Sequence, residues 1–399
     1  MTTDKKDRIL NAPDLRFPEF EGEWKVLTIG DCFELYSGNT PSRLDKENFI
    51  GDVNWITSGE LKEHYIGDTK EHISEDVAKE NNLKLVPVGT FVIAIYGLEA
   101  EGIRGTGSIT TKKSTISQAC MAFTPKGEIT NEFLYSWYKK HGNVIGTKYA
   151  QGTKQQNLSY DIIEKFKIHF PTVQEQDKLN RFISLLDERI STQSRAIEKY
   201  ESLINGLQES NLWKDYKRVS FSEIFIERNE RTTVANQYEV LSSTIKGIYR
   251  QSDYFDKEVA SINNVGYKVL YKGDIVLSPQ NLWLGNINYN DSFEIGMVSP
   301  SYKVFYINDK YNPFYISCFL KTHKALYEYA CASEQGASVV RRNLDMDAFM
   351  AISIPIPSKE VQNRIANVFS LLYEKHKTET WILEKLNKQK EFLLSQMFI

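Results

Sequence analysis

FISLLDER, residues 182–189, returns 186 positions later as VFSLLYEK, residues 368–375. Around the first copy, Leu179, Ile183, Leu186, Ile190, Gln193, Ile197, Tyr200, Ile204 and Leu207 follow one another in alternating steps of four and three. That is the a/d seam of a coiled coil, with charged residues outside it. The second copy in the same register reads Ile365, Phe369, Leu372, His376, Glu379, Leu383, Leu386, Lys390 and Leu393, and Met397 continues it. Pro171 followed by Thr172-Val173-Gln174-Glu175 predicts a helix start with a capping box. Pro357-Ser358 marks the second start, where Val361 stands in place of the box glutamate. Each stretch predicts a helix of about 37 residues, roughly 55 Å long. Heptads sustained over four repeats favour the two helices packing on each other over each lying on its own domain. The polar seam residues His376, Glu379 and Lys390 would then specify register or mark a weaker stretch.

The repeat extends upstream. Ile168-His169-Phe170-Pro171 falls on Ile354-Pro355-Ile356-Pro357. TKQQNLSYD (153–161) resembles VVRRNLDMD (339–347), and ISQACMAF (116–123) resembles VSPSYKVF (298–305). PVGTFVIA (87–94) resembles YKGDIVLS (271–278), and WKVLTIGDCF (24–33) resembles YKRVSFSEIF (216–225). The order is the same in both halves, so the chain is a tandem duplication of a globular unit followed by a long helix. The expected segments are a leader (1–23), a first unit (24–170), a central helix (171–212), a second unit (213–356) and a final helix (357–399). TFVIAIYG (90–97) and GDIVLSP (273–279) read as buried strands, and EFLYSWYKK (132–140) and PFYISCFLKTH (313–323) as amphipathic helices. Each unit is therefore expected to be α+β. The intervening unit is long enough for the chain to return, which allows an antiparallel helix pair.

Composition narrows the function. In 399 residues, 41% are hydrophobic and 25% charged, ordinary for a globular protein of two or three domains. The N-terminus has no secretory h-region and no run of about 18 apolar residues occurs, so a cytoplasmic protein without membrane contact is expected. Cys32, Cys120, Cys318 and Cys331 are scattered and read as reduced thiols, and the six histidines show no zinc spacing. The net charge of −3 counts mildly against nucleic acid as sole partner.

Searches for chemistry return little. NPFY (312–315) approaches the Asn-Pro-Pro-Tyr/Phe loop of adenine methyltransferases but lacks the second proline, and a helix entry with Pro313 at its first position explains it better. Pro13-Asp14 with Glu23-Trp24-Lys25 resembles a PD…ExK nuclease pattern, but Asp14 lies in a Pro- and Gly-punctuated leader. GIRGTGS (102–108) is neither GxGxxG nor a P-loop. No catalytic residue or metal ligand is nominated. What varies between the halves is a set of polar loops on a shared apolar framework, as expected of two related sites with different targets. Arg pairs bidentately with guanine, Asn and Gln with adenine, and Lys with phosphate. The candidate DNA contacts are Arg104, Lys112, Lys113, Lys154, Gln155 and Gln156 in the first unit, and Gln280, Asn281, Asn286, Arg341 and Arg342 in the second.

The duplication, KQQNLS and VRRNLD ahead of each IxxP, the helix openings PTVQEQDKL and PSKEVQNRI, and the leader LRFPEFEGEW together resemble the specificity subunit of type I restriction–modification systems. The resemblance covers essentially the whole chain. It implies two target-recognition domains, each reading one half of a bipartite site in double-stranded DNA, and an antiparallel coiled coil of the two long helices as spacer. It also implies no catalysis by this chain. Two modification subunits would bring S-adenosylmethionine, and restriction subunits would add ATP- and Mg-dependent cleavage. A stand-alone nuclease or adenine methyltransferase and a purely structural coiled-coil scaffold are the alternatives.

Overall fold

A computed structural model describes residues 11–152, 156–254, 264–335 and 342–399. The chain forms two compact units: residues up to Ser194 with Ile382–Ile399, and Arg195–Trp381. The division falls inside both long helices, Val173–Leu212 and Lys359–Met397.

The first unit is built on a five-stranded sheet in the order Phe33–Ser37, Cys120–Pro125, Phe91–Ala94, Gly107–Thr110, Tyr65–Ile66. The second carries a four-stranded sheet in the order Phe225–Glu227, Lys303–Ile307, Ile275–Leu277, Ile287–Tyr289. The first four places correspond one to one, as the repeated sequence requires. The apolar strands Phe91–Ala94 and Ile275–Leu277 are fully buried and occupy the same inner place in each sheet. Each is entered through a left-handed glycine, Gly89 or Gly273, where a side chain would strain the turn. Around these strands pack Phe33, Phe123 and Phe133 in one unit and Phe221, Phe305, Phe319 and Phe349 in the other. Each such ring contributes about 2–3 kcal/mol by leaving water.

The entry and exit of each globular part are stitched together. Lys25–Thr28 pairs antiparallel with Lys167–Phe170, and Arg218–Ser220 with Ser353–Pro355. The exit strand then leads into a long helix. These helices have 40 and 39 residues. Leu179, Ile183, Leu394, Met397 and Phe398 merge into the first core. Ile204, Leu212, Ala366 and Phe369 merge into the second. In the first unit, Asp187 bonds Lys390. In the second, Glu201 faces His376 at 3.1 Å and Gln208 donates to Tyr373 at 3.0 Å. In the second unit rising numbers on one helix, 201 and 208, meet falling numbers on the other, 376 and 373, so the pair runs antiparallel there. The fold is thus two α+β units joined by an antiparallel pair of long helices, with Lys390 and His376 of the imperfect seam engaged by acids.

Two local expectations are revised. The Glu175 carboxylate, expected to close a capping box, accepts instead from Arg16 of the leader at 2.8 and 2.7 Å and from the Trp24 indole at 3.4 Å. The predicted helix over 313–323 is broken into Pro313–Ser317 and His323–Cys331. Thr322 breaks it, because its hydroxyl caps Ala325 N–H and starts a new helix. In the first unit the corresponding helix, Asn131–Tyr149, runs unbroken. Among the described residues, no helix is long and apolar enough to cross a membrane.

Candidate nucleic-acid interface

In each unit the loop leaving the inner strand meets the polar segment that precedes the last short helix. The duplication therefore brings two sets of candidates to the same place in the fold.

In the first unit, Leu98 N–H donates to the Gln156 carbonyl at 3.0 Å, and Gln156 N–H donates to Glu99 Oε2 at 2.7 Å. That backbone N–H is the main reason the Glu99 carboxylate sits below its ordinary pKa. Across this junction Arg104 Nη2 donates to Gln156 Oε1 at 2.6 Å. Arg104 and Gln156 are thus one cluster. Lys112 and Lys113 are exposed and lie beyond the far end of the strand Gly107–Thr110, about 13 Å of strand away from the Arg104 end. Lys112 Nζ is 3.3 Å from Asp68, which also faces His72 at 3.1 Å. The two lysines form a separate basic tip, suited to phosphate. Lys154 and Gln155 lie outside the described residues.

In the second unit Pro279–Leu284 forms a 3₁₀ turn carrying exposed Gln280 and half-buried Asn281. Arg342, on the strand Arg342–Leu344, lies with its guanidinium 4.3 Å from the centre of the Trp283 ring. Gln280, Asn281 and Arg342 therefore share one surface. Asn286 departs from expectation. It is 5% exposed, its amide donates to Ser243 O at 3.0 Å and its Oδ1 accepts from Ser243 Oγ at 2.8 Å. A buried amide bonded through both groups to Ser243 belongs to the internal hydrogen bonding of the fold, and its burial keeps it from a base edge. Arg341 lies outside the described residues.

The enzyme-like motifs resolve structurally. Asn312 caps a helix by accepting from Tyr315 N–H at 2.9 Å, with Pro313 at the first helical position. Lys25 pairs with Glu128, and Glu23 accepts from Asn11 at 3.4 Å. Among the described residues, no group of three or more His, Cys, Asp or Glu side chains is arranged to hold a metal ion.

Sequence reasoning missed Trp283, whose ring supports Arg342, and a charged cluster around His64. The His64 ring stacks between Tyr65 and Tyr135 at 4.1 and 4.0 Å. Its Nε2 bonds Glu132 at 2.8 Å and its Nδ1 faces Asp187 at 3.4 Å, a charge contact more than a formed hydrogen bond. These residues come from distant stretches, and no spacing announces them.

A family model described as the type I restriction modification DNA specificity domain matches residues 21–199 and again 213–388. The chain is 28% identical over 185 residues to the type I restriction enzyme MjaIX specificity subunit of Methanocaldococcus jannaschii, covering 45% of this chain and 42% of that protein. It is 22% identical over 282 residues to the MjaVIII specificity subunit of the same organism, covering 69% and 63%. Each match thus spans less than two thirds of the relative's length. Among solved structures, it is similar to the S subunit of a type I restriction–modification system from M. genitalium, with a TM-score of 0.60 at 18% identity over 97% of this chain and 99% of that one. A structure described as bearing on complex assembly and conformational transition of the type I R-M system gives 0.52 at 13% identity, over 94% and 97%. At these identities the structural matches speak to fold alone.

Proposed function

The chain belongs to the type I restriction modification DNA specificity family, and from that premise we propose that it is the sequence-specificity subunit of such a system. Each globular unit reads one part of a bipartite site in double-stranded DNA. One observation carries this reading: the two clusters, Arg104 with Gln156 and Gln280 with Asn281 and Arg342, occur at corresponding places of a duplicated fold yet are built differently, Arg104 bonded to an amide and Arg342 laid over the Trp283 ring beside two amides. A repeated framework with different side chains at its tip is what two readers of unlike sequences require. Arginine forks suit guanine O6/N7, and glutamine or asparagine amides suit adenine. Lys112 and Lys113 would hold phosphate and fix register. Lys154, Gln155 and Arg341 remain candidates on chemistry alone.

In this reading the chain does no chemistry itself. Two modification subunits, which would bring S-adenosylmethionine, carry out adenine methylation. Restriction subunits, using ATP and Mg, carry out cleavage. A partner present twice needs two equivalent surfaces, and the opening repeat supplies a pair. Phe182 and Leu185 are 36% and 58% exposed, and their counterparts Val368 and Leu371 are 47% and 64% exposed. Apolar residues kept at the surface in both copies suit docking.

The helices would act as the ruler between half-sites. Inserting one heptad into each lengthens it by about 10 Å while keeping the seam in register. The chain would be assembled with its modification subunits and its methylated sites mapped. The expected product keeps both half-site sequences and widens their gap by about three base pairs, at 3.4 Å each. An unchanged gap would assign spacing to the partners, and absence of sequence preference would refute the specificity reading.

A further inference from the structure

The helix Asn131–Tyr149 contains Gly146, a buried position in its last turns. Glycine is among the poorest helix formers, so something other than helicity requires it there. A Cβ at 146 would stand 2.6 Å from Cγ of Arg104 and 3.2 Å from its Cδ. The aliphatic stem of Arg104 therefore fills the space that any other residue at 146 would occupy. The head group is also fixed. Its Nη2 donates to a neutral amide, Gln156 Oε1, at 2.6 Å, and its Nε is buried without a hydrogen-bond partner. A guanidinium bonded to an amide is not spent on a carboxylate fork, although the nearby Glu99 carboxylate attracts it, unlike Arg228, whose fork is taken by the buried Asp274 at 2.7 and 2.9 Å.

We infer that Gly146 is a positioning residue for DNA recognition: the notch left by its absent side chain holds Arg104 in a pose that leaves its Nη1–Nη2 edge, the part not buried at Nε, to meet a base edge. The inference rests on the reading of the first unit as a DNA reader. With the stem clamped before DNA arrives, less rotamer freedom is lost on binding, which favours a geometrically exact contact. A Cβ at 146 would expel the stem and swing the fork away without touching DNA itself.

The full-length chain, assembled with its modification subunits, would be compared with Arg104→Ala, Gly146→Ala and the double variant. Affinity would be measured against sites varied base by base, and methylated sites mapped. Arg104→Ala is expected to lose roughly tenfold of the discrimination at one base position of one half-site, as for a lost bidentate contact. Gly146→Ala should lose a similar factor at the same position, and the double variant no more than either alone. Because removing the Arg104 stem relieves the clash, the double variant should melt no lower than Arg104→Ala. If Arg104→Ala leaves every position unchanged, it is the reading of this surface that fails. If Arg104→Ala relaxes one position while Gly146→Ala leaves it intact or relaxes another, the notch inference alone is overturned. A double variant that melts below Arg104→Ala would likewise overturn it, by assigning Gly146 to other packing.

Discussion

Asp187 and Tyr373 hold the same place in FISLLDER and VFSLLYEK, and they attach their helices to the two units by different physics. Asp187 bonds Lys390 and faces the stacked His64, which in turn bonds Glu132. Tyr373 accepts from Gln208 at 3.0 Å and packs its ring 6.2 Å from Phe314 and 6.3 Å from Phe369. One attachment is ionic and partly buried; the other is aromatic. The exchange is tolerated because the pairing itself is carried by neighbours whose character is kept, Ile183 and Phe369, Leu186 and Leu372. A residue beside the seam can therefore change chemistry while the fold persists, and it makes the two units respond differently to the same perturbation.

The attachment common to both units is a glutamine one turn into each helix, and removing it should have the largest effect. Gln176 is fully buried; its Oε1 accepts from Thr130 N–H at 3.0 Å, and its amide donates to the carbonyls of Glu128 and Pro171, each at 3.0 Å. Gln362, also buried, accepts from Asn312 N–H and donates to Pro357 O, each at 2.9 Å. Each orphaned buried group costs about 1–3 kcal/mol, so Gln176→Ala, which orphans three, should cost about 4.5 kcal/mol and Gln362→Ala, which orphans two, about 3. Denaturation with hydrogen exchange read separately in each unit would measure both. Equal losses would break the comparison.

A smaller effect is expected at the ionic site. Lys390→Met leaves Asp187 charged and partly buried and should cost the first unit about 2 kcal/mol, since some solvent screening remains. Tyr373→Phe removes one hydrogen bond at a more exposed position and should cost about 0.5 kcal/mol. If the second unit suffered more than the first, the ionic cluster would not be what holds the first helix.

Only the first unit should lose stability between neutral and mildly alkaline pH. Burial disfavours the charged form of His64, but the carboxylates of Asp187 and Glu132 outweigh it and raise its pKa above the ordinary 6.5. Its contribution is therefore complete below about pH 6.5 and is lost as pH climbs through the raised value. Lys139 packs nearby, and burial, then repulsion from Lys390, lowers its pKa to about 8. It titrates in the opposite sense: its neutralisation favours the folded state as pH rises from about 8. The expected record is a dip in protection of the first unit, flattened by His64→Gln, against a second unit that serves as internal reference. A dip of the same size in both units would contradict this.

The parts legible in the sequence were those with a period or a repeat. The a/d seam, the two inner strands and their order followed from side-chain spacing that survives duplication. Arg104 with Gln156 and Gln280 with Arg342 were selectable as chemical types, but only folding brings each set together. What escaped had no local signature. The His64 cluster joins residues 64, 132, 187 and 390. Asn286 looked like a loop reader because burial of an amide depends on Ser243, far away in sequence. Glu175 sat in a correct capping pattern, yet a guanidinium from the leader was the stronger partner for its carboxylate. The break at Thr322 gave no signal of its own, because the aromatic periodicity around it reads as one helix.

The central claim is that each unit reads its own half of the DNA site. Its most direct test replaces residues 24–170 by the corresponding unit of another family member, assembles the chimera with the modification subunits, and maps every methylated adenine. The account predicts that one half-site changes while the other, and the gap between them, stays as in the parent. A chimera that folds and methylates but changes both half-sites, or neither, would contradict it.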